Sequence, residues 1–184
     1  MSYWEQLDYP AARYHGDRGD RGDRGDRGEV NASFRPADTP PEVSSPGGST
    51  AYLATNEMTG GEFGLYKGEL AARSAGAKTH FHRAISESFY ILSGELELYN
   101  GEKWLTGRTG DFLYVPAGGL HAFKNVTDEP VSMLMLFAPG APREEYFERV
   151  AEMTRRGGEE LERFRVRHDS HFLEDLENPE RGKG

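Results

Sequence analysis

The chain has 184 residues, enough for one domain of ordinary size with a real core and tails. Its formal net charge of −9, from 22 basic and 31 acidic residues, weighs against nucleic acid as a partner, because phosphate binding draws on a basic surface. The absence of cysteine excludes disulfides, thiolate metal sites and a Cys nucleophile. There is no apolar run of the ~18 residues that a membrane span needs, and the opening MSYWEQLDYP has neither the basic nor the apolar region of a secretory signal. The expectation is a cytoplasmic protein with no membrane partner.

Residues 1–49 read as a flexible N-terminal arm. Gly16 to Arg27 is four tandem Gly-Asp-Arg triplets, balanced in charge and without an apolar residue, so the stretch buries too little to offset chain entropy. Val30 to Arg35 is a candidate short strand ahead of a proline-rich spacer. From Thr50 the texture changes to short strands separated by turn signals, as in an all-β barrel or sandwich. Strands are expected near 50–55, 62–72, 78–83, 87–93, 95–99, 102–106, 111–115, 120–125 and 131–138. Asn100-Gly101 between ELELY and EKWLT signals a type I′ hairpin. VSMLMLF is apolar on both faces and reads as a central strand. After residue 140 the period changes. Tyr146, Phe147, Val150 and Met153 form one helical stripe suited to packing on the barrel, with Pro142 placed in its first turn, i,i+4 pairs Glu145–Arg149 and Glu152–Arg156, and Gly157-Gly158 as the stop. A second short helix is expected over Glu159 to Phe164, and 168–184 reads as a charged, frayed tail. The organisation is therefore an arm over 1–49, a barrel over 50–140, and C-terminal helices and tail over 141–184.

Within the barrel, two glycine-bounded segments concentrate the chemistry. GAKTHFHRAISESFYILSG, Gly76 to Gly94, holds His80, His82 and Glu87; GDFLYVPAGGLHAFKN, Gly110 to Asn125, holds His121. Side chains at i and i+2 of a strand share a face, so His80 and His82 project together. A bend between Ala84 and Ser86 turns Glu87 toward the same centre, and His121 closes it from a later strand. Three imidazoles and one carboxylate suit one divalent transition metal, with iron, nickel, cobalt, manganese, copper and zinc all compatible. Without a metal, burying these four groups costs several kcal/mol unless each finds a partner.

The two segments resemble the paired motifs of the cupin superfamily. His80, His82, Glu87 and Gly94 follow the first motif, with Ser74 at the position of its leading glycine and Gly76 displaced by two. Gly110, Pro116, Gly118, His121 and Asn125 follow the second without a gap. The resemblance implies a jelly-roll β-barrel carrying an N-terminal arm and C-terminal α-helices, a metal held by His80, His82, Glu87 and His121, and a homodimer in which the arm pairs with a neighbouring subunit. Among cupins, the layout is similar to single-barrel quercetin-dioxygenase-like proteins. That implies a dioxygenase acting on a flavonol or enol-type small molecule, with Glu87 taking the substrate's hydroxyl proton. The alternatives are a non-redox isomerase, lyase or cyclase, and a small-molecule-binding cupin without turnover.

Glu87 has two readings, metal ligand or general base; the second needs its pKa raised toward neutrality by burial. Strand parity places Phe89, Phe123, Met133, Met135 and Phe137 toward the interior, with Phe63 and Leu65 opposing them. These residues line either a substrate pocket for a flat, apolar molecule or an ordinary core. Tyr66, Tyr90 and Tyr114 read either as hydrogen-bond donors at the mouth or as amphipathic surface residues. Asn125, Pro116 and Gly118 read as scaffold. His168 and His171, at HxxH spacing in the tail, and His15 are lesser candidates for a second metal site.

Overall fold

The computed structural model describes residues 32–173. Residues up to Thr39 form one unit and Pro40 onward another. In the first, 32–35 are not a strand, and Thr39 N donates to Pro36 O; the rest of the expected strand, and the Gly-Asp-Arg repeats, lie outside the described residues.

Among the described residues, the second unit holds eleven strands and two helices. The strands are β1 (Val43–Ser45), β2 (Gly48–Ala54), β3 (Gly64–Leu70), β4 (Ala77–Phe81), β5 (Ser86–Ser93), β6 (Glu95–Tyr99), β7 (Trp104–Arg108), β8 (Phe112–Val115), β9 (His121–Lys124), β10 (Val131–Ala138) and β11 (His171–Phe172). The helices are α1 (Glu144–Arg156) and α2 (Gly158–Arg167). Two sheets result, a six-stranded one in the order β1-β2-β3-β10-β5-β8 and a five-stranded one in the order β11-β4-β9-β6-β7. All their pairings are antiparallel. The architecture is the all-β jelly-roll barrel with C-terminal helices. No helix among the described residues is long and apolar enough to cross a membrane.

Alternation fixes the barrel's inside. In β10, Val131, Met133, Met135 and Phe137 are buried while the residues between them are half-buried, and the strand lies between β3 and β5 as its two apolar faces require. Phe89 and Ile91 of β5 and Leu96 and Leu98 of β6 join them in one core cluster. Each such side chain contributes about 1.5–3 kcal/mol relative to an exposed one.

Strand β3 runs opposite to its expected parity. Its inward residues are Gly64, Tyr66, Gly68 and Leu70, and Leu65 is only half-buried. Phe63 lies before the strand, its backbone bonded to the Thr59 hydroxyl. The reason is local packing: a Cβ on Gly68 would sit 3.1 Å from Met135 Cε, so the glycine makes room for the methionines. Two of the four inward residues thus carry no hydropathy signal.

The β6–β7 connection also departs from expectation. Tyr99 pairs with Trp104, which leaves a four-residue loop rather than a two-residue type I′ turn. The Asn100 carboxamide oxygen organises it by accepting from the amides of Glu102 and Lys103 at 3.0 and 2.9 Å. At the front of the barrel, β1 and β2 begin before residue 50.

The helix stripe packs as its pattern implies. Phe147 meets Tyr66, Tyr52 and Phe137 at ring separations of 5.0, 6.4 and 6.3 Å, so α1 lies against inward-facing rings of the six-stranded sheet. The Tyr66 hydroxyl donates to Glu144 Oε1 at 2.8 Å, and the Tyr52 hydroxyl to Glu144 O at 3.2 Å. Both expected i,i+4 ion pairs form. Pro142 precedes the first turn, because the helix starts at Glu144 behind Arg143. Past α2 the described part of the expected tail, 168–173, does not fray, and 174–184 lie outside the described residues. Residues 168–172 return to the barrel, and β11 adds to the edge of β4 with His171 opposite Phe81 and Phe172 opposite His80.

Candidate metal centre

His80 is the fourth residue of β4, His82 follows the strand, His121 opens β9 opposite His80, and Glu87 stands second in β5. The histidines thus come from the five-stranded sheet or its edge, and the carboxylate from the six-stranded one. The turn before β9 is joined to the first segment by Gly118, which donates its amide to His82 O at 2.6 Å from a left-handed backbone with φ 84°. Asn125 holds the far end of β9: its amide nitrogen donates to Ala71 O and Glu129 O, and its oxygen accepts from Thr127. Pro116, Gly118 and Asn125 therefore sit where a scaffold role requires.

All four expected ligands are at most 4% exposed, and one ligand atom from each lies within 4.8 Å of the others. Glu87 Oε2 is 3.0 Å from His82 Nε2 and 2.9 Å from His121 Nε2. Each imidazole also meets a backbone carbonyl through Nδ1: His80 with Lys78 O at 2.8 Å, His121 with Gly119 O at 3.0 Å, and His82 with Asp169 O at 2.5 Å. A carbonyl can only accept, so each Nδ1 carries a proton, and a ring with no second proton is left with a bare lone pair on Nε2. Two of those lone pairs point at a carboxylate oxygen at hydrogen-bond distance. That arrangement is stable only with a cation between the groups, whether a proton or a metal ion. The donor chemistry therefore fits a divalent metal.

The electrostatics agree. Burial and the neighbouring His121 push His80 down to about 3, so it is neutral at ordinary pH. Burial acts to depress His121 as well, but its bond to Glu87 wins and raises it. For Glu87, burial acts upward, yet the bonds from His121 and His82 outweigh it and hold the carboxyl well below its ordinary range. The general-base reading of Glu87 needs the opposite shift, toward neutrality.

Of the residues expected to line a substrate pocket, Phe89, Met133, Met135 and Phe137 are buried in the core cluster, and Phe123 packs half-buried against it. Phe89 approaches His121 at 6.0 Å and Phe137 approaches His82 at 6.1 Å, between ring centroids. Tyr66 is fully buried rather than at the mouth, whereas Tyr90 and Tyr114 are exposed. An open groove of about 490 Å³ touches Phe123, Thr79, Trp104 and Lys124 but none of the four clustered residues.

His168 and His171 do not form a metal group among the described residues. His168 Nε2 faces Glu145 Oε2 at 3.5 Å, and His171 lies 3.3 Å from Asp169 Oδ1 with its ring stacked on Phe81. His15 lies outside the described residues.

Three further residues around the cluster, Asp169, Phe172 and Arg143, belong to no sequence motif. Arg143 is 3% exposed; its Nη1 donates to His168 O and Ser170 Oγ, its guanidinium lies 5.0 Å from the Phe137 ring, and its Nε has no partner. The local signal for Phe172 was the apolar Phe172-Leu173 pair in a mostly polar tail.

The two-sheet jelly roll thus carries a buried three-histidine, one-carboxylate cluster that could hold a metal ion. Residues 68–137 match the family model of the cupin domain, Cupin_2, so the barrel carries a cupin domain. Quercetin 2,3-dioxygenase of Bacillus subtilis (strain 168) is 26% identical over 88 residues, 48% of this chain and 26% of that protein, so the match takes in about a quarter of the relative's length. Among solved structures, KdgF from a Halomonas species superposes with a TM-score of 0.54 at 15% identity, covering 62% of this chain and 99% of that one. An RmlC-like cupin from Shewanella frigidimarina NCIMB 400 gives 0.52 at 20% identity, covering 63% and 96%. The polyketide cyclase RemF from Streptomyces resistomycificus gives 0.51 at 18% identity, covering 61% and 82%. At these identities the likeness is one of fold.

Proposed function

We propose that the protein is a metal-dependent enzyme acting on a small organic molecule, and that its reaction is a quercetinase-like dioxygenation of a flavonol or enol-type substrate. The observation that carries the metal reading is the pair of Nε2 lone pairs aimed at one carboxylate oxygen, at 2.9 and 3.0 Å. The likeness to quercetin 2,3-dioxygenase supports the finer reading. His80, His82, His121 and Glu87 would hold the metal, which supplies Lewis acidity toward a substrate oxygen and, for a redox-active ion, a site for dioxygen.

The chain's own part is positioning. The three Nδ1–carbonyl bonds fix the ring planes. Glu87, held ionised and well below its usual range, would serve as a metal ligand rather than as the base. Phe89 and Phe137 present apolar faces beside the histidines and exclude water. Arg143, a buried cation whose Nη1 bonds the carbonyl next to the one that holds His82, favours a substrate that reacts as an anion.

The test is metal analysis of protein purified without chelator, followed by oxygen-electrode assays with flavonols and simpler enols. Near-stoichiometric metal and substrate-dependent oxygen uptake, both lost in His121→Ala, are expected. Metal with turnover but no oxygen uptake would move the assignment to a non-redox isomerase, lyase or cyclase. No metal after reconstitution would leave a ligand-binding barrel.

A further inference from the structure

Two of the three imidazoles are oriented from within the barrel. His80 bonds the carbonyl of Lys78 and His121 that of Gly119, each only two residues away. His82 differs, because its carbonyl belongs to Asp169, 87 residues later, beyond both helices. The barrel alone thus supplies no orienting acceptor to one of its three histidines.

The same short segment holds the site in three more ways. The Asp169 carboxylate accepts the amides of Arg83 and Ala84, each at 2.8 Å, and so fixes the chain directly after His82, where it bends toward Glu87. Phe172 stacks on the His80 ring at 4.9 Å and 14°. β11 pairs with β4 at His80 and Phe81. The segment is in turn anchored from both helices. Arg143, the residue that caps α1, bonds His168 O and Ser170 Oγ, and the Arg165 guanidinium of α2 lies 4.0 Å over the Phe172 ring. Asp169 takes a left-handed backbone, φ 50°, a conformation that a non-glycine residue keeps where its surroundings hold it.

We infer that Asp169–Phe172 is a positioning clamp for the metal centre, with Asp169 and Phe172 as positioning residues for His82 and His80, so that docking of the C-terminal segment and metal binding stabilise each other. The clamp rests on the metal reading above. Partners that orient ligating imidazoles change metal affinity about 10- to 100-fold when removed. By linkage, a metal that binds the docked state tightly holds the segment docked by the same factor.

The experiment uses the full chain and cobalt(II) as the probe, with affinity read by competition against a chromophoric chelator and ligand geometry by the visible bands. Asp169→Gly removes the carboxylate from the amides of Arg83 and Ala84 but keeps the carbonyl that faces His82 and suits the left-handed backbone, and the freed amides are exposed enough for water to replace the carboxylate. Phe172→Ala removes the stack. Each is expected to lower cobalt affinity about tenfold and the pair about 100-fold, with altered bands. Val131→Ala, a core truncation at the far end of β10 from Phe137, should lower the melting temperature yet leave affinity and bands unchanged. In wild-type protein, cobalt should slow amide exchange over 168–172.

Variants that fold, bind cobalt as tightly as wild type and show its bands would overturn the clamp while leaving the metal centre standing. So would a loss of affinity in Val131→Ala equal to theirs, since that would reduce the effect to general destabilisation. Failure of wild-type protein to bind cobalt or any other divalent ion would instead remove the metal reading, and the clamp with it.

Discussion

Replacing Glu87 with glutamine should lower both stability and metal affinity. In the metal-free protein the Glu87 carboxylate is 3% exposed and faces the Nε2 atoms of two imidazoles, and the bonds from them hold its carboxyl well below the ordinary range. A depressed carboxyl pKa means that the charged form stabilises the fold above the unfolded pKa, so the whole contribution is present at pH 8. Removing one partner of a buried pair costs about 3–5 kcal/mol. At about 2–4 °C per kcal/mol for a chain of this size, chelator-treated Glu87→Gln at pH 8 should melt roughly 6–20 °C below chelator-treated wild type. With metal the gap should widen, because a neutral carboxamide is the weaker ligand and a ligand stabilises by RT ln(1 + [L]/Kd). The assay is calorimetry of both proteins with chelator and with a zinc series. Either of two results would refute the reasoning: a chelator-treated Glu87→Gln protein that melts at or above wild type, or zinc raising both melting points equally.

The packing around the site sets other outcomes. Tyr66→Phe removes the buried hydroxyl bond to Glu144; it should cost about 1–2 kcal/mol, read as a lower urea midpoint at unchanged slope. Gly76→Ala places a Cβ 2.1 Å from Phe123 O at φ 60°; a loss of at least about 2 kcal/mol and weaker metal binding are expected, because Phe123 lies two residues from His121. Burial first, and then the acidic groups of Glu148 and Glu144, hold the Tyr52 and Tyr66 phenols well above their ordinary pKa near 10. Below about pH 10 the phenols are protonated in both states and stability is flat. Above it only the unfolded chain ionises, so urea midpoints should fall between about pH 10 and 11.5, less steeply in Tyr66→Phe.

The motif-bearing part of the chain was legible because its chemistry is local. Strand alternation put His80 beside His82, and the glycine-bounded turns fixed where Glu87 and His121 could come from. Strand β10 announced itself through apolar residues on both faces, and the α1 stripe through its period. What sequence could not show depends on long-range partners. Tyr66 turned inward because Gly68 yields space to Met133 and Met135, which arrive from a strand at the other end of the barrel sequence. The Asn100 loop closed through a side-chain oxygen instead of the expected turn. Asp169 and Phe172 stand in a polar tail whose composition suggests solvent; Phe172 is buried by pairing with the β4 edge, and Asp169 is held by the amides of Arg83 and Ala84. The direction of the Glu87 pKa depended on which nitrogen of each imidazole was already occupied by a carbonyl, a detail no spacing encodes.

The division of ligands between the sheets has a mechanical consequence. Three donors ride on the five-stranded layer or its margin and the fourth on the six-stranded layer, so an ion bound to all of them acts as a rivet through the barrel wall-to-wall. Pulling the layers apart would have to break coordination bonds as well as shear side chains past one another. Such a barrel should breathe most when empty, at the seam between β4 and β5, where the chain passes from one layer to the other.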